Sequence, residues 1–546
     1  MDSNKIDNME IENLLMGYFK SRSYPPYRDE GYHGPTERDH TAEAVRSKYH
    51  KHKTSVFDFK AYFSMTSLPG FHYFVDDYFS NFGKYVWAIC LISVYALSGW
   101  TVYLSVMHFL RNSAIITLEN EASSTWTIPF PAVTICSSDR IRSSVYNFSY
   151  VNYSTVDERI TWNAVHSMCD LQMDSNNHQL YEEFLDGPFV TQLVKNLSFS
   201  CEELVLGVDW LGHQEDNACK MWFQETFTMH GLCLTFNMMP IGEMLRGVDE
   251  WSLDNALQWK NYTSNWFPET GFSKDALEVK LPMRTNEEHE SFNFRSRLLF
   301  NENPNKQCSN NLNVYYILIH SPAEWPVDSH QTVVVPPGII ENVGLKPVVS
   351  SITAELAVWK PKDRQCYYQN EKRLKYFKFY TQKNCILECR SESIVKRCGC
   401  VPYYLFRTKN TPVCGPAKSE CWLSVLQDKV EPCECLPDCN VLSFDLLKSN
   451  AINFFDPSDF PNRKDNKIFN GAEIRVFYQS SNYLGYQRIT IYTLSQFVGA
   501  VGGLMGFYMG FSILILFELV YFITLRPFVN YWNAKKKMKK IDIISL

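Results

Sequence analysis

Residues that could handle ions lie near the end of the chain, in an apolar stretch whose only formal charge is Glu518. A carboxylate inside a membrane span is costly and usually faces a polar path. Small residues share one helix face in this stretch, namely Gly499, Gly502, Gly503, Gly506 and Gly510, and Phe511 and Ser512 follow them. The stretch predicts a pore-lining helix that is narrow at residues 510–512. A tightly packed dimerisation helix with a snorkelling Glu518 explains it equally well.

These residues need a membrane around them, and two segments can cross one. Residues 84–110 and 491–523 each exceed the roughly 20 apolar residues that span a bilayer as a helix. In the first segment, Trp87 and Trp100 lie where interfacial aromatic residues are expected. The alternative, a buried helix of a soluble protein, is disfavoured by the length of the apolar run.

The bulk composition limits the number of spans. The chain has 546 residues, a formal net charge of -6 and 45% hydrophobic residues, yet its mean hydropathy is negative. It is therefore not a multi-span bundle, and its length allows several domains. The polar, acidic start has no basic and apolar parts of a cleavable signal peptide, so we expect an internal span to direct export.

Common enzyme motifs are absent from the sequence. It contains no Walker A, HExxH or GxSxG sequence, and its 13 histidines form no metal-like cluster. We therefore predict that the protein is not an enzyme and uses no cofactor, metal site or nucleic acid.

Sequons and basic residues predict the topology. Four N-x-S/T sequons all lie between the spans, as is typical of an extracellular segment: Asn147, Asn152, Asn196 and Asn261. Basic residues flank the other ends of the spans, following the positive-inside trend: Lys84, Arg526, Lys535, Lys536, Lys537, Lys539 and Lys540. We expect residues 111–490 outside the cell, and both the segment 1–83 and the basic tail 524–546 in the cytosol.

The cytosolic segment 1–83 is predicted to be partly disordered, because turn formers such as Tyr24-Pro-Pro-Tyr27 occur without an apolar period. A loose basic run is interpreted as solvated, with contact to the inner leaflet as the alternative. This run comprises Arg46, Lys48, Lys51, Lys53 and Lys60. The tail run Lys535–Lys540 has the same two interpretations.

Cysteines form the second group of reactive residues. Cys90 lies in the first span, and the other 16 of the 17 cysteines lie between the spans. An even number in an oxidising compartment favours disulfides. Pairs such as Cys398-Gly-Cys400 could suggest zinc, but zinc knuckles usually have two residues between the cysteines. Disulfides are therefore the better interpretation.

Ten cysteines crowd into residues 366–439 with near-mirror spacings. Nested pairing would staple two antiparallel segments into a ladder: Cys366–Cys439, Cys385–Cys435, Cys389–Cys433, Cys398–Cys421 and Cys400–Cys414. Spacing permits this order without proving it, because connectivity is not readable from sequence. Each bridge would contribute about 2–4 kcal/mol by restricting the unfolded chain. The ladder is interpreted as a stiff lever, with a merely structural stalk as the alternative.

The rest of the outer segment has mixed α/β character. β-Branched and aromatic runs predict strands, at residues 132–135, 314–319, 332–335 and 474–478. Apolar periodicity predicts helices at residues 371–380 and 386–395 in the cysteine-rich part.

Several motifs in a fixed order carry a resemblance to a known family. They are Ile128-Pro-Phe-Pro-Ala-Val-Thr-Ile-Cys136, Tyr380-Thr-Gln-Lys-Asn-Cys385, Cys398-Gly-Cys-Val-Pro402, Cys433-Glu-Cys-Leu-Pro-Asp-Cys439 and the glycine-rich stretch with Glu518. Over roughly residues 60–525, the chain resembles the degenerin/epithelial sodium channel family, and looks most like its insect pickpocket branch. Motifs in register along the chain make a chance match improbable.

The resemblance implies an α+β membrane protein with two transmembrane helices. Between them it implies a large, disulfide-rich mixed α/β extracellular domain of the clenched-hand type, with residues 366–439 as the thumb. It supports the nested thumb bridges and suggests Cys136–Cys233 and Cys201–Cys219, which leaves Cys169 and Cys308 as an eighth pair. It also implies a homo- or heterotrimer with related subunits in the plasma membrane.

The resemblance further implies which residues form the pore. Gly510, Phe511 and Ser512 occupy the selectivity filter, where carbonyls and hydroxyls replace part of an ion's hydration shell. Phe511 departs from the small residue that is commonest there, so its ring is expected to pack against a neighbour. Glu518 matches an inner acidic position that attracts cations.

Two glycines match gating positions of the family. Gly499 matches the degenerin position, where bulky side chains are associated with constitutive opening because they prevent close helix packing. The remaining pore positions are Gly502, Gly503 and Gly506. Gly70 matches the glycine of a cytosolic His-Gly gating motif, although Pro69 precedes it here. A simple turn is the alternative interpretation of this dipeptide.

The prediction from sequence is therefore a sodium-preferring, amiloride-sensitive cation channel subunit that responds to an unidentified extracellular stimulus. Its partners would be sodium ions, the lipid bilayer and related subunits. The alternative is a non-conducting modulatory subunit or a cell-surface receptor, which Pro69 and Phe511 favour. An ATP-gated channel is disfavoured because no basic phosphate site is evident.

Overall fold

The structure is a computed structural model. It describes residues 59–111, 114–147, 155–169, 171, 178–247, 263–273, 281–287, 293–301, 308, 312–327, 332–427, 433–453, 471–491 and 493–544. Four of the five residues in the first basic run, together with Asn152 and Asn261, lie outside these described residues.

The α-helices of the described chain are α1 Phe59–Met65, α2 Asn81–Arg111, α3 Val156–Met168, α4 Gly187–Leu197, α5 Cys201–Leu204, α6 Ala218–Met221, α7 Ile241–Met244, α8 Ala354–Ala357, α9 Pro361–Arg364, α10 Gln382–Cys398, α11 Ser419–Gln427, α12 Leu494–Met509, α13 Ile513–Val520 and α14 Arg526–Ile544. A π-helical turn, Tyr521–Leu525, joins α13 to α14.

The strands are β1 Ala114–Ser124, β2 Ala132–Ser137, β3 Phe184–Leu185, β4 Val205–Trp210, β5 His213–Gln214, β6 Phe223–Thr228, β7 Gly231–Phe236, β8 Trp266–Phe267, β9 Gly271–Phe272, β10 Phe294–Leu299, β11 Tyr315–His320, β12 Val333–Val335, β13 Ile339–Ile352, β14 Val413–Cys414, β15 Val441–Asn453, β16 Gly471–Tyr478 and β17 Asn482–Thr490.

The chain forms two compact units, residues 1–101 with 502–546, and residues 102–501. Two helical segments of the described chain are long and apolar enough to cross a membrane, Asn81–Leu110 and Ile513–Asn533. The helix α12 is apolar but shorter. The first span agrees with the predicted range 84–110 within a few residues.

The second predicted span is not a single helix. The sequence predicts one helix over residues 491–523, but α12 ends at Met509 and α13 begins at Ile513. Helix then continues through the predicted tail to Ile544. Pro527 does not stop it, because it occupies the first turn of α14, where its missing N–H would have no partner anyway.

Two large sheets and the two-stranded sheets β14-β3 and β8-β9 build the unit of residues 102–501, here called the outer unit because the sequence predicts it outside the cell. The larger has eight strands in the order β1-β17-β13-β16-β10-β4-β5, with β15 on the other edge of β13. The second has five antiparallel strands in the order β12-β11-β2-β7-β6. Strands β2, β11, β12 and β16 confirm the four strands predicted from sequence. Apolar side chains of both sheets, such as Ile135, Phe236 and Ile474, pack into one buried core.

A second core lies under the thumb helix α10. Thr381 caps its first turn by accepting a hydrogen bond from the Asn384 N–H, and Gly399 ends it with φ +74°. This helix contains the predicted segment 386–395. The other helix predicted here, 371–380, is wrong, because tertiary contacts take its backbone groups instead. The buried Glu388 carboxylate accepts hydrogen bonds from the N–H groups of Lys375 and Tyr376.

All cysteines outside the first span are paired. Thumb bridges follow the nested order, Cys366–Cys439, Cys385–Cys435, Cys389–Cys433, Cys398–Cys421 and Cys400–Cys414. Three more lie elsewhere in the outer unit, Cys136–Cys233, Cys169–Cys308 and Cys201–Cys219. Cys90 is a free thiol. Sulfur atoms held in disulfides are not available to ligate zinc, which argues against that alternative.

Candidate functional site

The backbone leaves the helical conformation between α12 and α13. Gly510 has φ +63°, in the left-handed region that favours glycine. Ser512 is extended, with φ -124°, and is the N-cap residue of α13, although its side chain makes no capping hydrogen bond. The Gly510 N–H donates to the Gly506 carbonyl at 2.9 Å, closing α12. The last carbonyls of a helix lack intrahelical partners, so the break leaves backbone carbonyl oxygens without helical hydrogen bonds.

An N-terminal segment packs against this break within the same compact unit. The Ser67 N–H donates to the two carboxylate oxygens of Glu518 at 3.2 and 3.1 Å, across 451 positions of sequence. A Cβ atom added at Gly510 would lie 3.0 Å from Cγ of Pro69. Gly510 is therefore constrained both by its conformation and by its neighbour.

Gly70 anchors the same segment to the first span. It has φ +89°, and its carbonyl accepts a hydrogen bond from Nε1 of the Trp87 indole at 2.8 Å. A Cβ atom at Gly70 would lie 3.1 Å from the Trp87 ring. Tyr62 of α1 packs edge-to-face on Phe522, with ring centroids 5.1 Å apart. The structure thus brings Gly70 close to the helix break and to Glu518. The sequence alone does not predict that these three features lie together.

The glycine face of α12 has little to pack against among the residues that the structure describes. Cβ atoms added at Gly499, Gly502 or Gly503 would meet nothing within 4 Å, and one at Gly506 would meet only the Phe511 carbonyl oxygen at 3.7 Å. No described residue of this chain therefore packs closely against Gly499.

Three aromatic residues join α2 and α12 to the chain segment that precedes the thumb. Phe109 of α2 stacks on Phe497 of α12 at 4.4 Å, and packs edge-to-face on Trp359 at 5.6 Å. Strands β1 and β17, which adjoin these helices, pair directly, with Ala114 opposite Thr490. The tryptophan in the polar stretch before Cys366 is the sequence signal that could have identified this aromatic contact.

Buried ionisable groups occur in the outer unit. Burial raises the pKa of Asp438 to about 6, and the nearby negative charge of Glu324 also raises it. Burial lowers the pKa of His320 to about 3, so this imidazole is neutral. Among the described residues, no group of three or more His, Cys, Asp or Glu side chains is arranged to hold a metal ion.

Two of the four predicted glycosylation sites can be located in the structure. Asn147 and Asn196 are exposed, and Asn196 lies near the end of α4. Both asparagines belong to the outer unit, so a glycan at either position would extend into solvent.

A family model described as amiloride-sensitive sodium channel matches residues 62–522. This range includes the broken helix, Glu518, the paired cysteines and almost all of the N-terminal segment that packs against the break.

Individual relatives are similar over most of the chain. Pickpocket protein 28 of Drosophila melanogaster is 25% identical over 510 residues, covering 88% of this chain and 80% of the relative. Sodium channel protein Nach of Drosophila ananassae is 22% identical, covering 87% and 88%. The bile acid-sensitive ion channel of Rattus norvegicus is 22% identical, covering 83% and 85%.

Proposed function

The chain belongs to the amiloride-sensitive sodium channel family, whose members are cation channels and not enzymes, and we propose that it is a sodium-preferring subunit of a homo- or heterotrimer. Ions would pass a constriction at Gly510–Ser512. Both termini would lie in the cytosol and the outer unit would face the extracellular side of the plasma membrane. Amiloride would block the pore, and an extracellular stimulus would open it.

The observation that carries this proposal is the break in the second span. Non-helical backbone within a membrane is tolerated where it lines a water-filled path or is buried in protein. Here it falls on Gly510, Phe511 and Ser512. Carbonyl oxygens and the Ser512 hydroxyl are the hard ligands that replace water around sodium.

Glu518 would have two roles below this constriction. Its carboxylate carries the negative charge that raises the local cation concentration. It also accepts the Ser67 N–H hydrogen bonds, which hold the N-terminal segment beside the constriction. Pro69 contributes only ring carbons to this contact with Gly510, so the polar interactions of a histidine are replaced by packing.

The outer unit would sense the stimulus and move the spans. Five disulfides stiffen the thumb. Trp359 contacts Phe109, which in turn stacks on Phe497. A rigid displacement of the thumb would therefore reach both spans through one aromatic cluster.

The test is whole-cell current from a Gly499→Val variant, because a bulky residue at the degenerin position would bypass the unknown stimulus. We expect a standing inward current that disappears when external sodium is replaced by a large organic cation, and that amiloride blocks. Adding Ser512→Ala to this variant is expected to reduce the preference for sodium over potassium.

The matched control is Gly99→Val in the first span, where an added Cβ atom also meets nothing within 4 Å. It should give no standing current. A Gly499→Val protein that is glycosylated at the cell surface but carries no current would contradict a conducting homomer. That result would favour the modulatory subunit, for which Phe511 in the constriction is the supporting feature.

A further inference from the structure

Residues 353–365, here called the tryptophan loop, connect β13 to the base of the thumb. The loop contains the short helices α8 and α9 and presents Trp359 to Phe109 of the first span. A loop that carries the contact between thumb and span transmits movement only if it is held rigidly. Two buried arginines hold it.

Arg364, at the end of α9, holds the loop from inside. Arg364 is only 1% exposed, and its guanidinium forms an ion pair with Glu371 at the start of the thumb. A second nitrogen of the same group donates to the Trp359 carbonyl oxygen at 2.5 Å. The group also lies 4.7 Å from the centre of the Tyr368 ring. One planar cation thus joins the thumb to the backbone that carries Trp359.

Arg488, in β17, holds the loop from the pore side. It is 9% exposed, and its guanidinium donates to the Gln365 carbonyl oxygen at 2.7 Å. The Arg488 carbonyl accepts the Thr353 N–H at 3.0 Å. The same residue therefore fixes both ends of the tryptophan loop to the strand that leads into α12.

We propose that Arg364 and Arg488 are positioning residues that couple the thumb to the pore through the tryptophan loop. Arg364 ties the loop to the thumb, and Arg488 ties it to β17. The inference rests on the proposed channel function. It deepens that proposal by identifying the side chains through which the thumb acts.

Coupling between two sites is reciprocal, so the stimulus need not be known. If the thumb can move the pore, a pore that is held open must change the tryptophan loop. Val358, beside Trp359, is 86% exposed and offers a place for a reporter thiol. The experiment uses Val358→Cys with Cys90→Ser, so that the reporter is the only reduced cysteine.

The measurement is the rate at which a membrane-impermeant methanethiosulfonate modifies the reporter on surface channels, with and without Gly499→Val. We expect the two rates to differ by about fivefold or more, the lower end of typical coupling between linked sites. Arg364→Gln or Arg488→Gln should abolish the difference, while the standing sodium current of Gly499→Val remains.

Arg407→Gln is the matched control. Arg407 is a half-buried arginine of the outer unit, and it donates to the Gly187 carbonyl and the Thr191 hydroxyl, away from the loop. It should leave the rate difference intact. If Arg364→Gln does not reach the surface, Arg364→Lys replaces it, because lysine can pair with Glu371 but cannot also reach the Trp359 carbonyl in the same planar geometry.

A rate difference that persists in both arginine variants would overturn the inference. So would the absence of any difference in a parent that carries the Gly499→Val current. Absence of current in that parent would instead contradict the proposed function, so the two failures are distinguishable.

Discussion

Asp438 is an acidic residue buried where the thumb closes. Its carboxylate accepts the Gln382 N–H at the first turn of α10, at 3.2 Å, and favourable charges of Lys383 and Arg488 lie nearby. Burial and the charge of Glu324 outweigh these contacts and raise the pKa of Asp438 to about 6. Asp438 therefore binds a proton more tightly in the folded thumb than in the unfolded chain.

This raised pKa predicts a pH-dependent stability. The folded state holds the proton more tightly than the unfolded chain does. Ionised Asp438 therefore lowers the free energy of unfolding, and this penalty is complete above about pH 6. The penalty falls as the pH is lowered towards the ordinary pKa of an aspartate. Asp438→Asn removes it, so we expect the variant to gain up to about 3 kcal/mol in the free energy of unfolding at neutral pH. Thermal unfolding of the purified protein at about pH 7.5 and about pH 4.5 measures the change.

The informative quantity is the difference between wild type and variant, since other carboxylates titrate over the same range. That difference should be largest at the higher pH and fall to roughly a third of that value at the lower one, which still lies above the ordinary pKa of an aspartate. Glu392→Gln, which removes an exposed carboxylate from the thumb helix α10, serves as the control. An Asp438→Asn protein that is equally less stable at both pH values would contradict the prediction.

The helix break in the second span is an element that depends on one glycine. Any other residue at φ +63° pays a left-handed backbone cost of roughly 1–2 kcal/mol. A Cβ atom there would also press against Pro69. In the Gly499→Val background, we expect Gly510→Ala to reduce the standing current about tenfold or more through these two effects. Whole-cell current normalised to surface protein measures the loss.

Gly99→Ala in the first span is the control, because its added Cβ atom meets nothing within 4 Å and alanine favours the helix. Its current should equal that of the parent. If Gly510→Ala and Gly99→Ala behave alike, the left-handed break is not required for conduction.

The molecule exposes a glycine face on α12 that none of its described residues covers. An unpacked small-residue face lets helices of separate copies approach closely, as assembly around a central pore requires. We therefore expect Gly503→Cys, in a Cys90→Ser background, to form disulfide-linked dimers under mild oxidation in membranes. Non-reducing electrophoresis detects them.

Met505→Cys is the control for this assembly. Met505 lies about half a turn round α12 from Gly503. The Met505→Cys protein is therefore expected to remain monomeric under the same oxidation. Equal cross-linking at both positions would indicate random collision, and cross-linking at Met505 alone would place the opposite face at the interface.

Several features were determined by the sequence itself because they depend on local properties of the chain. The first span follows from an uninterrupted apolar run, and the four predicted strands from β-branched segments. The nested thumb bridges agree with the mirror spacing of their cysteines. The glycines of α12 could be recognised because a helix brings positions three and four apart onto one face.

Only the tertiary structure decided how distant segments meet. The hydrogen bond between Ser67 and Glu518 and the hold of Arg364 on Trp359 have no sequence signature, because each depends on how separate elements pack. The same reason explains the failed helix at residues 371–380, where the carboxylate of Glu388 takes N–H groups that a helix would have used. Local patterns determined which elements form, whereas long-range packing decided which residues act together.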